Sequence, residues 1–60
     1  MYLPEDPDIL VSVINTRLRD YYDSLEDLCL SEDIDPAWLT SKLADSGYSY
    51  DEAANCFRGH

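Results

Sequence analysis

Apolar residues between Asp6 and Tyr22 recur at intervals of three and four, at Ile9, Leu10, Val13, Ile14, Leu18 and Tyr21, the stripe of one amphipathic helix. Asp6-Pro7 marks its start, because Asp6 is a favoured N-cap and Pro7 sits where a missing N–H costs nothing. Asp8 complements the positive end of the helix dipole. Arg17 with Asp20, and Arg19 with Asp23, are spaced to pair across the wet face. The pattern breaks at Asp23-Ser24 and restarts. Ser24 followed by Asp27 approximates a capping box, and Leu25, Leu28 and Cys29 form the apolar edge of a short helix ending near Ser31. Asp35-Pro36 repeats the start signal. It predicts a third helix that turns Trp38, Leu39 and Leu43 inward and stops at Gly47, with Ile34 stapled onto Leu39.

Past Gly47 the period becomes two. Tyr48-Ser49-Tyr50 alternates, Asp51 to Asn55 supplies turn formers, and Cys56-Phe57-Arg58 returns as a second strand. Glu52-Ala53-Ala54 also favour helix, so a short fourth helix from Asp51 is the competing reading. A two-stranded ribbon is not stable alone, and either version must pack Tyr48 or Tyr50, and Phe57, against the helices. Asn15 and Arg19 lie one turn apart beside the first helix's stripe, placed to tie it to a hairpin carbonyl or to cap another helix. The expected architecture is mainly α: one domain over residues 1–60, three helices and a C-terminal β-hairpin, in a helix-turn-helix-like topology.

At 60 residues the chain buries only about 60% of the surface its unfolded form exposes, which leaves no room for a second domain or a large enclosed pocket. Charge changes the picture most: 13 Asp and Glu against 4 Lys and Arg give −9. The longest apolar runs are 3 residues, where a bilayer span needs roughly 20. The start, Met1-Tyr2-Leu3-Pro4-Glu5-Asp6, is acidic where a secretory signal carries basic charge, so a cytoplasmic location is expected. Anionic lipid surfaces would repel the chain, which argues against membrane partners.

The chemistry-bearing residues are sparse. Cys29 and Cys56 read as free thiols filling core space, since disulfide-stapled scaffolds usually carry more cysteines and Cys29, Cys56 and His60 make a poor zinc set. Asp33-x-Asp35 and Glu5-Asp6-x-Asp8 group carboxylates, but Pro36 interrupts any calcium loop, and helix capping accounts for them. No metal or cofactor is expected. The sole histidine, His60, stands at the last position, where it is poorly held for acid–base work. Asp27 and Glu32, near Cys29 in sequence, would raise a thiol pKa rather than activate it. With Gly47 and Gly59 the only glycines, a phosphate-cradling loop is absent. A non-enzymatic protein is expected.

The second and third helices with a hairpin wing suggest a nucleic-acid-associated regulator, the alternative reading. Phosphate contacts need Arg or Lys, however, and the reading helix offers only Lys42 between Asp35 and Asp45. A net −9 field opposes approach to a polyanion, so direct nucleic-acid binding is disfavoured. The aromatic content points elsewhere. Tyr2, Tyr21, Tyr22, Tyr48 and Tyr50 cannot all be interior in so small a domain, and exposed rings are what interfaces concentrate. Tyr22, Tyr48 and Tyr50 are the candidate partner-binding residues. The favoured reading is a protein-interaction module that meets a basic protein partner or self-associates.

Several motifs lie in a familiar order. Leu3-Pro4-x-Asp6-Pro7, Asn15-Thr16-x-Leu18-Arg19-Asp20-x-Tyr22, Ser24-Leu25, Leu28-Cys29, Asp33-Ile34-Asp35 and Gly47-Tyr48-x-Tyr50-Asp51-x-x-x-Asn55-x-Phe57 span nearly the whole chain. Together they resemble a bacterial family of very short proteins known as a domain of unknown function; Pro36 and Trp38 stand outside the pattern. The resemblance implies a free-standing bacterial cytosolic domain and carries over no activity, cofactor or catalytic residue.

Overall fold

The computed structural model describes residues 3–59. Among these, three helices, α1 (Pro7–Asp20), α2 (Leu25–Glu32) and α3 (Pro36–Ala44), precede an antiparallel hairpin of β1 (Tyr48–Asp51) and β2 (Cys56–Gly59). The fold is mainly α with a C-terminal hairpin, as the patterning predicts. Among the described residues no helix is long and apolar enough to cross a membrane. Tyr2 and His60 lie outside the described residues.

Each helix starts on the residue expected to cap it. Asp6 accepts from the Asp8 amide at 2.9 Å, Ser24 from Asp27 at 3.1 Å and Asp35 from Ala37 at 3.0 Å, so each satisfies an amide that the first helical turn leaves without a partner. α2 ends one residue beyond Ser31, at Glu32, because Asp33 turns into the left-handed region at φ 57°. Asp tolerates that conformation better than most residues. α3 gives way after Ala44 to a tighter turn in which the Ser46 amide bonds the Leu43 carbonyl. Gly47 follows at φ +87°, so the positive-φ glycine comes two residues past the C-cap Asp45.

The core is one cluster of Leu10, Val11, Ile14, Leu18, Leu25, Leu28, Cys29, Leu39, Leu43 and Phe57. Ile34 packs against it, as the staple requires. The buried stripe of α1 differs from the expected one. Val11 replaces Ile9 and Val13: Ile9 is 55% exposed and Val13 only half-buried. The rotation follows from α1 having two neighbours. It packs on α2 and α3 and also on β2, where Asn15 bonds Phe57, and cover on more than one side buries Val11 along with Leu10, Ile14 and Leu18. Tyr21 is the C-cap, no longer in helical phase, and lies 69% exposed. Trp38, expected inward, is 46% exposed, because Leu39 and Leu43 already fill the inner face of so short a helix.

The hairpin excludes a fourth helix. Asp51 Oδ1 accepts from the Ala53 and Ala54 amides and starts a single helical turn, which Asn55 ends at φ 52°. Tyr48 then faces Gly59, Tyr50 faces Phe57 and Asp51 faces Cys56. Tyr48, Tyr50 and Phe57 share the inner face, with the Tyr50 and Phe57 rings 5.4 Å apart and tilted by 54°.

Leu18→Ala and Leu39→Ala remove fully enclosed side chains and should each lower stability by about 2–5 kcal/mol. Ile9→Ala should change it by less than about 0.5 kcal/mol. Urea denaturation of the three variants checks the rotated helix face.

Candidate functional site

Two asparagines weld the hairpin to α1. Asn15 projects from the middle of the helix and takes both polar groups of Phe57: its Nδ2 donates to the Phe57 carbonyl at 3.1 Å and its Oδ1 accepts from the Phe57 amide at 2.7 Å. A residue in a two-stranded sheet points its N–H and C=O either at its partner or away from it. Phe57 is an outward position of β2, and the Asn15 carboxamide stands in for the missing third strand. Asn55, in the turn, donates from Nδ2 to the carbonyls of Leu18 (3.2 Å) and Tyr22 (3.0 Å), groups at the end of α1 that lack helical partners. Its Oδ1 accepts from the Tyr50 hydroxyl at 2.6 Å, and that hydroxyl in turn accepts from the Leu25 amide, 3.3 Å away, in the first turn of α2. The expectation for Asn15 holds. Arg19 makes no such tie and bonds its neighbour Asp20 at 2.9 Å.

The three candidate tyrosines are half-buried, and each spends its hydroxyl inside the molecule. Tyr22 donates to Glu32 at 2.7 Å, joining the end of α1 to the end of α2. Tyr48 donates to Asp8 at 2.6 Å, joining β1 to the first turn of α1. Tyr50 closes the Asn55 network. Hydrogen bonding to the Glu32 and Asp8 carboxylates, and then burial, push the Tyr22 and Tyr48 phenols above their ordinary range.

The four side-chain cations are dispersed and engaged. Arg19 pairs with Asp20 and Arg58 with Asp51, in place of the expected Arg17–Asp20 and Arg19–Asp23 pairs. Asp20 stays in solvent beside Arg19, whose fork meets both carboxylate oxygens. Arg17 instead stacks 5.6 Å above the Tyr21 ring, and Lys42 lies 6.0 Å from the Trp38 ring centre. Two cations are on α1, one on α3 and one on β2. Cys29 and Cys56 are both free, the first buried and the second half-buried. Burial first, then Asp35, pushes the Cys29 thiol upward; Asp27 and Glu32, its expected perturbers, are not the cause. Among the described residues no three His, Cys, Asp or Glu side chains are grouped to hold a metal ion.

The structure brings forward residues that patterning placed in the core or passed over. Among the described residues Ile9, Tyr21, Leu30 and Trp38 are the exposed large apolar side chains, Leu30 at 83%. Leu30 and Trp38 lie on either side of the turn from α2 to α3, the α2–α3 corner. Two open clefts meet there. Leu30 lines one with Glu26, Cys29 and Pro36; Trp38 lines the other with Leu3, Glu32 and Asp35; and Asp33 and Ile34 border both. A sequence signal existed for Leu30. It lies two residues from Leu28 and one from Cys29, so a helix that buries those two turns Leu30 outward.

A family model described as a domain of unknown function (DUF4250) matches residues 4–57. No curated protein and no solved structure gives a match.

Asn15→Ala strands both polar groups of Phe57 and should cost about 1–3 kcal/mol by denaturant melting. Asn15→Asp keeps the acceptor but sets a carboxylate oxygen against the Phe57 carbonyl. Measured against the parent at equal pH, its deficit should shrink as the pH falls and be smallest below an unfolded carboxyl's pKa of about 4, where the new group is protonated in both states. A second expectation concerns base. The phenols of Tyr22 and Tyr48 bind their proton more tightly folded than unfolded. Their contribution is complete below an unfolded phenol's pKa of about 10 and is lost as pH rises through the folded value. Stability measured across that range should fall, and fall less in a Tyr22→Phe, Tyr48→Phe double variant.

Proposed function

The chain belongs to the DUF4250 family, and we propose that this member is a non-enzymatic protein-interaction module whose partner is basic. The carrying observation is electrostatic. Against a net charge of −9, each side-chain cation is engaged by a carboxylate or an aromatic ring of the same molecule. The field that a partner meets is acidic, which steers basic surfaces inward and holds polyanions off. Like charge also opposes a second copy of the chain. A thiol pushed upward by burial is a poor nucleophile, which supports a non-catalytic role for Cys29. Tyr22, Tyr48 and Tyr50 enter this reading as rigid ring edges, fixed by Glu32, Asp8 and Asn55, that border a contact without reorganising.

Crosslinking in the source cell at native abundance, followed by binding of the purified candidate, tests the reading. The expected partner carries net positive charge and binds less tightly as salt rises. Enrichment of nothing above background, or binding that does not weaken as salt rises, would overturn it.

A further inference from the structure

Resting on that reading, we propose that the α2–α3 corner is the docking surface and that its occupant is a cationic amphipathic segment of the partner. Leu30 is 83% exposed and Trp38 46%, in a chain whose other large aliphatic side chains are, apart from Ile9, at least half-buried among the described residues. Ile34, half-buried, lines both clefts, so the Leu30 side and the Trp38 side of the turn share an apolar residue. An apolar strip around a tryptophan is the composition of an interface centre rather than of ordinary surface.

The border of the strip identifies what covers it. Glu26 and Asp33 line the cleft at Leu30; Glu32, Asp33 and Asp35 line the cleft at Trp38; no Arg or Lys lines either. Glu32 and Asp35 are held in place by bonds from the Tyr22 hydroxyl and the Ala37 amide, so two of the four carboxylates are positioned before a partner arrives. Lys42 already lies 6.0 Å from the Trp38 ring centre. It marks that ring as a seat for positive charge. A helix with an apolar stripe flanked by Lys or Arg satisfies both demands: its stripe covers Leu30, Ile34 and Trp38, and its cations reach the carboxylates. A second copy of this chain would bring four more carboxylates to the same border.

Trp38 is the only tryptophan, so its emission reports directly on the corner. The probe is a synthetic Lys/Leu peptide patterned as an amphipathic helix, with a same-composition peptide whose order destroys the stripe as its control. Titration into the isotope-labelled full chain should shift Trp38 emission to shorter wavelength saturably. The amide shifts should concentrate at Leu30, Ile34 and Trp38. Leu30→Ala, at a position too exposed to matter for folding, should weaken binding about tenfold. Ile9→Ala should leave it unchanged. Equal binding of the control peptide, or shifts centred away from the corner with Leu30→Ala neutral, would overturn the docking surface while the interaction reading stands. No binding of either peptide at low salt would overturn both. Concentration-dependent sedimentation of the chain alone, abolished by Leu30→Asp, would assign the corner to self-association and overturn the cationic occupant.

Discussion

One side-chain amide replaces a strand. Asn15 reads the backbone of Phe57 as a neighbouring peptide would, donating to its carbonyl and accepting from its amide, and so fixes a two-stranded ribbon to a helix without a third strand. The ribbon alone would not persist in water. Once held, it lays Phe57 into the core and brings Tyr48 and Tyr50 down beside it. Asn55 repeats the device at the other end of the contact, where its left-handed backbone turns the chain and its amide closes off the last carbonyls of α1. The Tyr50 hydroxyl extends the same network to the start of α2. The same few side chains thereby meet the Leu18 and Tyr22 carbonyls at the end of α1 and the outward backbone of Phe57, and among the described residues no buried side-chain polar atom is left unpaired.

Charge divides the molecule differently from packing. The carboxylates at helix starts are structural: Asp6 and Asp35 cap, and Asp8 receives Tyr48. Those around the α2–α3 corner combine with exposed Leu30 and Trp38 to form a surface that packing does not require. Tyrosine hydroxyls bound to carboxylates connect the two regimes, since Tyr22 holds Glu32 at the edge of that corner while locking α1 against α2.

Punctuation in the sequence is directly legible because its causes are local. Asp6-Pro7, Ser24 and Asp35-Pro36 begin helices, and the shift from a helical period to alternation at Tyr48 announces the hairpin. Facing is less legible, because it depends on what arrives later in the chain. Ile9 satisfies the helical interval as well as Val11 does, and only the position of β2 decides between them. Trp38 is apolar and adjacent to Leu39, yet a nine-residue helix buries one narrow face, and Leu39 and Leu43 occupy it. The role of Asn15 is partly readable, since a polar side chain beside a buried stripe needs a partner, but its pairing with a residue 42 positions away is set by tertiary structure. The clefts beside Leu30 and Trp38 are hidden from the sequence for the same reason: they form only where the chain turns from α2 to α3 through the left-handed Asp33.

Native-state hydrogen exchange at the Phe57 amide tests this account most directly. That proton points away from β1 and is guarded by the Asn15 side chain. If the carboxamide seals the hairpin onto α1, the Phe57 amide exchanges with the same opening free energy as the buried Ile14 in the middle of α1, through global unfolding alone. Rapid exchange at Phe57 while the Ile14 amide stays protected would mean that the ribbon detaches on its own and that the amide bridge is not what closes the fold.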